Sequence, residues 1–325
     1  MKFAAAVSAL ATMASAAAVA KPASPLDVKI EMVGNTGVKA TVTNTGSEDL
    51  KIFKTGSILD KTPTEKVKIT QGKSNVTFNG VRLRVMKKGL QEASFQVIPA
   101  GKTIEHTFDA AELHDLSVGG AVSMVSKGAL QYAKAGSTEI IGSVPYSSNL
   151  LSATVDGIAA SKVFKAYHAK AKRQAVQDDC SSSQASATSD AINTCAELAA
   201  EAASVAGSDD EKTCRVLQDR GFFDPLHSNV YGACEPGVIA YTLPSEEYMV
   251  NCPIFFSDLS PASSTCHDQD QWSTVLHETT HLTSVAGTDD YGGYGYDFVQ
   301  SLSAEENLSH ADTYALFAQS LYAGC

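Results

Sequence analysis

The sequence predicts an α+β protein, with an antiparallel β-sandwich-like domain first and a mostly helical domain with a small sheet second. Three observations predict it. Short apolar–polar alternations separated by Asn, Gly and Pro fill the first half, as half-buried antiparallel strands require. Apolar residues at three- and four-residue spacing dominate the second half, as amphipathic helices require. Charge and cysteine content also change together at one point in the chain. Residues 1–173 carry 22 basic and 13 acidic side chains, a net of +9, whereas residues 174–325 carry 3 basic and 23 acidic ones, a net of −20. All seven cysteines lie in the acidic half. At 325 residues and 44% hydrophobic, the chain can bury two cores and is too apolar for disorder. Its net charge of −11 argues against nucleic acid as a partner.

The elements follow in order. Lys2 precedes an apolar run from Phe3 to Val19, which closes on Ala18-Val19-Ala20. A charged start, an apolar core and an A-x-A site make a signal peptide over residues 1–20, so a secreted, extracellular protein is expected. No later stretch reaches about 18 apolar residues, and no membrane association is expected. Six strands are then predicted, at Val28–Val33, Val38–Thr43, Leu50–Phe53, Val67–Ile69, Val81–Val85 and Ala93–Val97. Lys and Arg at alternate positions line one face of these strands, which either meets water or docks on the acidic half. Asn75 and Asn307 stand in N-x-[ST] triplets and are candidate glycosylation sites.

Lys172-Arg173 is a dibasic pair in what reads as an exposed polar linker, where charge and cysteine content change. It divides the chain into a signal peptide (1–20), a basic β-rich pro-domain (21–173) and an acidic mature domain (174–325). In the mature domain a long helix is predicted over 181–206, from Ile192, Cys195, Leu198 and Ala202 at helical spacing. Val238–Thr242 and Ile254–Phe256 read as short strands. Trp272, Val275, Leu276, Leu282 and Val285 then predict a helix ended by Gly287, and a C-terminal helix follows.

The penultimate helix carries the chemistry, in His277-Glu278-Thr-Thr-His281. Positions i and i+4 share a helix face, so both imidazoles can reach one metal ion, and Glu278 can take a proton from a metal-bound water. That is a zinc hydrolase signature. Catalytic zinc takes three protein ligands and keeps one position open. A third His six residues after His281 is absent, since position 287 is Gly and position 284 is Ser. Two carboxylate sources remain. Glu305 and Glu306 lie on a following helix, although Ser303-Ala-Glu305-Glu306 also reads as a capping box. Alternatively Asp289 or Asp290 swings back from the loop after Gly287, where glycine permits a tight reversal.

At these residues the sequence resembles the deuterolysins, or aspzincins, secreted fungal zinc endopeptidases of zincin-like fold. Their pattern is H-E-x-x-H followed by G-T-x-D-x-x-Y-G, matched here by His277, Glu278 and His281 and then by Gly287, Thr288 and Asp290. The resemblance continues through Cys234-Glu-Pro, Ala240-Tyr-Thr-Leu-Pro244, Cys266-His-Asp-Gln-Asp270 and His310-Ala-Asp312 to Cys325, covering most of residues 230–325. It implies His277, His281 and Asp290 as ligands of one zinc ion and Glu278 as general base. It also implies that Asp312 supports the site, with hydrogen bonding to a ligand imidazole as the expected role. One departure concerns the tyrosine, since the expected position is Gly293 and Tyr294 follows it. Tyr294 is the first candidate for the oxyanion, with Tyr291 and Tyr296 as replacements. His267 and His310 read as surface or structural residues.

The resemblance also implies the disulfides Cys234–Cys252 and Cys266–Cys325, leaving one pair and one free thiol among Cys180, Cys195 and Cys214. The expected function is a secreted zinc-dependent endopeptidase made as a latent precursor and cut after Arg173. The expected partners are protein substrates, which the acidic charge biases toward basic proteins, and the pro-domain itself in the latent form. The chain is expected to act as a monomer. With no cysteine in residues 21–173, latency must come from steric cover or another ligand. The alternative is a secreted non-catalytic binding or effector protein that retains the zinc-site scaffold.

Overall fold

The computed structural model describes residues 24–174, 181–205, 229 and 231–325. The expected signal peptide, residues 1–20, lies outside the described residues, as do Cys180 and Cys214. The fold is α+β and its sheets are small and antiparallel.

The strands of the first half are β1 (Leu26–Val33), β2 (Gly37–Asn44), β3 (Leu50–Phe53), β4 (Lys68–Gln71), β5 (Ser74–Asn75) and β6 (Arg82–Val85). After them come β7 (Phe95–Ile98), β8 (Thr103–Asp109), β9 (Gly120–Val125), β10 (Lys127–Ala133), β11 (Ile140–Ser147) and β12 (Leu151–Val155). Their order is β1-β2-β8 in one sheet, β11-β10-β3-β7 in a second and β12-β9-β4-β5 in a third. Alternation explains them: β1 buries Leu26, Val28 and Ile30 and exposes Asp27, Lys29 and Glu31. Short helix α1 (Ala110–Leu113) follows β8, and α2 (Gly157–Gln174) follows β12. Lys172 and Arg173 therefore lie in the last turn of a helix and not in a linker. Ala and Lys, both good helix formers, carry α2 past its apolar residues.

In the second half, α3 (Ser182–Val205) matches the long helix expected. Strands β13 (Val238–Leu243) and β14 (Tyr248–Asn251) pair antiparallel. Ile254–Phe256 is not a strand but part of helix α4 (Pro253–Ser257). Pro253 at the first helical position presets the helical φ, and three consecutive apolar residues carry no period to say otherwise. Helices α5 (Gln271–His281), α6 (Tyr296–Ser301), α7 (Ala304–Leu308) and α8 (Ala311–Ala323) complete the chain.

Helix α5 stops at His281, six residues before Gly287. Leu282 leaves the helical region at φ −55° and ψ 133°. Its carbonyl accepts from the N–H groups of Val285, Ala286 and Gly287, and Gly287 at φ 59° completes the reversal.

The two halves share a sheet and a core. Strand β6 pairs with β13 rather than with the other strands of its own half, giving the order β14-β13-β6. Leu83 and Val85 pack in one apolar cluster with Tyr241, Val250 and Tyr294. The disulfides Cys234–Cys252 and Cys266–Cys325 are formed. Cys195 is also disulfide-bonded. Among the described residues, no helix is long and apolar enough to cross a membrane.

Candidate active site

Helix α5 is the platform of the site, and all of its residues are buried. Asp270 caps it, accepting from the Ser273 N–H at 2.9 Å and the Ser263 N–H at 2.8 Å. The helix packs against α3, α8 and β13. Its side chains are held on every side before any ligand arrives.

His277 and His281 stand one turn apart with their Nε2 atoms 3.2 Å from each other. Each ring is oriented through Nδ1. His277 Nδ1–H donates to Asp312 Oδ1 at 2.9 Å, and His281 Nδ1–H donates to the Thr288 carbonyl at 3.0 Å. With those protons on Nδ1, both Nε2 atoms present lone pairs. They face Asp290 Oδ1 at 3.3 and 3.4 Å. Three acceptors that share no proton repel one another, and a cation resolves that repulsion. Tetrahedral zinc with bonds of about 2.0–2.1 Å sets its ligand atoms roughly 3.3–3.4 Å apart. The three separations fit that edge length. Among the described residues, His277, His281 and Asp290 form the one cluster able to hold a metal.

The electrostatics agree with a cation-seeking site. Burial works to raise the Asp290 carboxyl and to lower His281, but without a bound cation a positive charge on His281 stands beside Asp290, holding the carboxyl well below the carboxylate range and His281 above its ordinary value. Burial, and then the Arg84 guanidinium, push His277 well below its ordinary value, so the ring is a neutral ligand. Burial pushes Glu278 up to about 8, against the opposing pull of His281 and of the Thr242 hydroxyl. Thr242 Oγ1 lies 2.6 Å from Glu278 Oε2, while Glu278 Oε1 has no hydrogen-bond partner among the described residues.

Asp312 sits in the first turn of α8, fully buried. Its Oδ2 accepts from the Gly295 N–H at 2.6 Å, so one carboxylate ties His277 to the tyrosine loop. Tyr294 is buried with its ring 6.3 Å from that of His277. Tyr291 instead stacks on His310, and Tyr296 stacks on His267. His310 is structural: its Nε2 lies 3.1 Å from the Asp290 carbonyl and 3.2 Å from that of Gly293. Glu306 closes the capping box with Ser303 and pairs with Lys127, apart from the metal cluster. Asp289 accepts from the N–H groups of Asp290 and Tyr291 and pairs with Lys68 and Arg82.

A family profile described as the deuterolysin metalloprotease (M35) family matches residues 1–217. The chain belongs to this family. A second profile, described as lysine-specific metallo-endopeptidase, matches residues 214–319 of this deuterolysin-family chain. A neutral protease 2 homolog of Colletotrichum graminicola is 49% identical over the whole of both chains. Another, from Phaeosphaeria nodorum, is 48% identical over 98% of each chain. Neutral protease 2 of Aspergillus oryzae is 39% identical over 98% of this chain and 97% of its own. As a member of the deuterolysin family, the chain is a metalloendopeptidase acting on protein substrates.

Two residues of this deuterolysin site escaped sequence reasoning. Thr242 lies in β13, 36 residues from the Glu278 it contacts. Arg84 of β6 is buried with Nη1 3.0 Å from His277 Nδ1, and it also pairs with Asp312. The alternating cations of Val81–Val85 were the available signal, but alternation does not say which face is covered.

Proposed function

We propose that the chain is a secreted zinc endopeptidase, cut after Arg173, in which His277, His281 and Asp290 hold the metal. The convergence of His277 Nε2, His281 Nε2 and Asp290 Oδ1 at zinc spacing carries this reading. Residues 21–173 are read as a β-rich, sandwich-like pro-domain that remains over the site in the latent monomer, and residues 174–325 as the mostly helical protease domain.

Bound there, zinc would lower the pKa of a water and polarise the scissile carbonyl. The rest of the work belongs to the chain. Glu278 Oε1, which has no hydrogen-bond partner among the described residues while Oε2 is held by Thr242, takes the proton of the attacking water and later gives it to the leaving amine. The Tyr294 hydroxyl donates to the developing oxyanion. Burial first, and then the Asp290 and Glu278 carboxylates, hold that hydroxyl protonated well above its ordinary value, as a donor requires. Asp312 and the Thr288 carbonyl keep the two imidazoles in the tautomer that offers Nε2. The basic-substrate preference draws support from the net −20 of residues 174–325 and from the lysine-specific description of the second profile.

The test is a paired measurement on protein processed from the full-length chain: metal content by mass spectrometry, and cleavage of a basic protein with and without chelator. One zinc per chain with chelator-sensitive cleavage is expected. Bound zinc without cleavage would instead support a non-catalytic binding protein, and absence of zinc would overturn the ligand assignment.

A further inference from the structure

Strand β13 has two neighbours, β14 on one side and β6 on the other. Removal of residues 21–173 takes β6 away and leaves β13 as an edge strand beside the site. An edge strand of this kind is where an extended peptide adds to a sheet, its main chain supplying affinity and its alternate side chains specificity. β6 is already seated there as a peptide would be. It runs antiparallel to β13, with Arg82 opposite Thr242, Leu83 opposite Tyr241 and Arg84 opposite Ala240. Arg82 and Arg84 are two residues apart and so lie on one face, while Leu83 turns to the apolar cluster.

Arg82 shows what that lane accepts. Its Nη1 lies 3.3 Å from Asp289 Oδ1 and its Nη2 lies 2.6 Å from Glu65 Oε2. Lys68 approaches the other Asp289 oxygen at 2.9 Å. Among the described residues, both cations on Asp289 come from the first half of the chain. The carboxylate is held in place by residues that stay behind, through the N–H groups of Asp290 and Tyr291 at 2.8 and 3.1 Å. In the intact chain, with the first half in place, its side chain is 13% exposed. Once Arg82 and Lys68 leave, a carboxylate already oriented by two N–H groups faces the vacated lane without its two cations, placed to accept charge-assisted hydrogen bonds from a new cationic side chain.

We infer that substrate takes the β6 lane along β13 and that Asp289 is the subsite for a lysine or arginine side chain, at the place now held by Arg82. This rests on the endopeptidase reading above and deepens its preference for basic proteins. The register gives the subsite its position. Thr242 is opposite Arg82 and holds the general-base candidate Glu278, so the basic side chain lies close to the bond being cut.

The experiment compares two quenched peptides that differ by Arg against Gln at one position, using enzyme processed from the full chain, with and without Asp289→Asn. Asn keeps an oxygen for the two N–H groups and loses only the charge. The wild type is expected to prefer the Arg peptide at least tenfold in kcat/KM, and Asp289→Asn to cut that ratio tenfold or more, mainly through KM, at equal metal content. A wild-type preference untouched by Asp289→Asn overturns the subsite and leaves the basic-substrate reading standing. No wild-type preference overturns both. A second arm needs only the wild type: a synthetic Val81–Met86 peptide should inhibit competitively, and its Arg82→Gln version at least tenfold more weakly. Equal inhibition by the two, or none by either, overturns the proposal even if Asp289→Asn fails to fold.

Discussion

The Arg84 guanidinium rests 3.0 Å from His277 Nδ1, although 193 residues separate the two in the chain. It reaches the same Asp312 oxygen that orients His277, so one carboxylate is shared between an arginine of the first half and a candidate metal ligand of the second. Arg84 is 1% exposed, and its charge is opposed by Glu278, Asp290 and Asp270. The buried cation therefore occupies the acidic interior of the site.

If latency rests on this buried cation, removing it should release the site. Arg84→Leu in a full-length chain kept uncut at Arg173 should raise cleavage of a quenched peptide at least tenfold over the uncut parent. Retained silence, with the variant folded by circular dichroism, would show that steric cover alone maintains latency.

Glu278→Gln should keep metal binding and lose about 10²–10⁴-fold in kcat, since the amide cannot take the proton of the attacking water. Metal content and turnover measured on the same preparation check this. Substantial retained turnover would remove Glu278 as the base.

Asp312→Asn should weaken metal affinity by about 10–100-fold, because the amide no longer selects the His277 tautomer that offers Nε2. Competition with a chromophoric chelator reads this directly. Unchanged affinity would reduce Asp312 to its contacts with Arg84 and the Gly295 N–H.

Lys66 offers a pH test remote from the metal. It is 7% exposed, donates to the Thr62 carbonyl at 2.7 Å, and burial lowers its ammonium to about 8 against the opposing charges of Asp60 and Glu112. The ordinary value is 10.5, so between about 8 and 10.5 the unfolded chain holds more protons than the folded one. Stability therefore rises with pH across that window, and the penalty is complete below it. Denaturant titrations of the full-length chain should show this rise, up to roughly 3 kcal/mol, relative to Lys66→Met. Parallel curves for the two proteins would contradict it.

Much of the site was legible because its core is local. His277 and His281 share a face by the helical repeat alone, and Asp290 is close because Gly287 lets the chain turn back. The α3 helix and the alternating strands were legible for the same reason. Ile254–Phe256 was not, because an unbroken apolar run has no period and Pro253 decided it. The end of α5 was not legible either, since Leu282 and Val285 keep the apolar spacing after the backbone has left the helix.

The chemistry on offer is written in the order of residues: two imidazoles and a glutamate on one helix, a nearby carboxylate, and a basic half preceding an acidic one. Which basic residues meet the site is a matter of tertiary pairing. The alternation in β6 sets Arg82 and Arg84 on one face, but their partners Asp289, His277 and Asp312 lie about two hundred residues on. Pairing over that distance depends on strand register and shared burial, and neither is written in any local window of sequence.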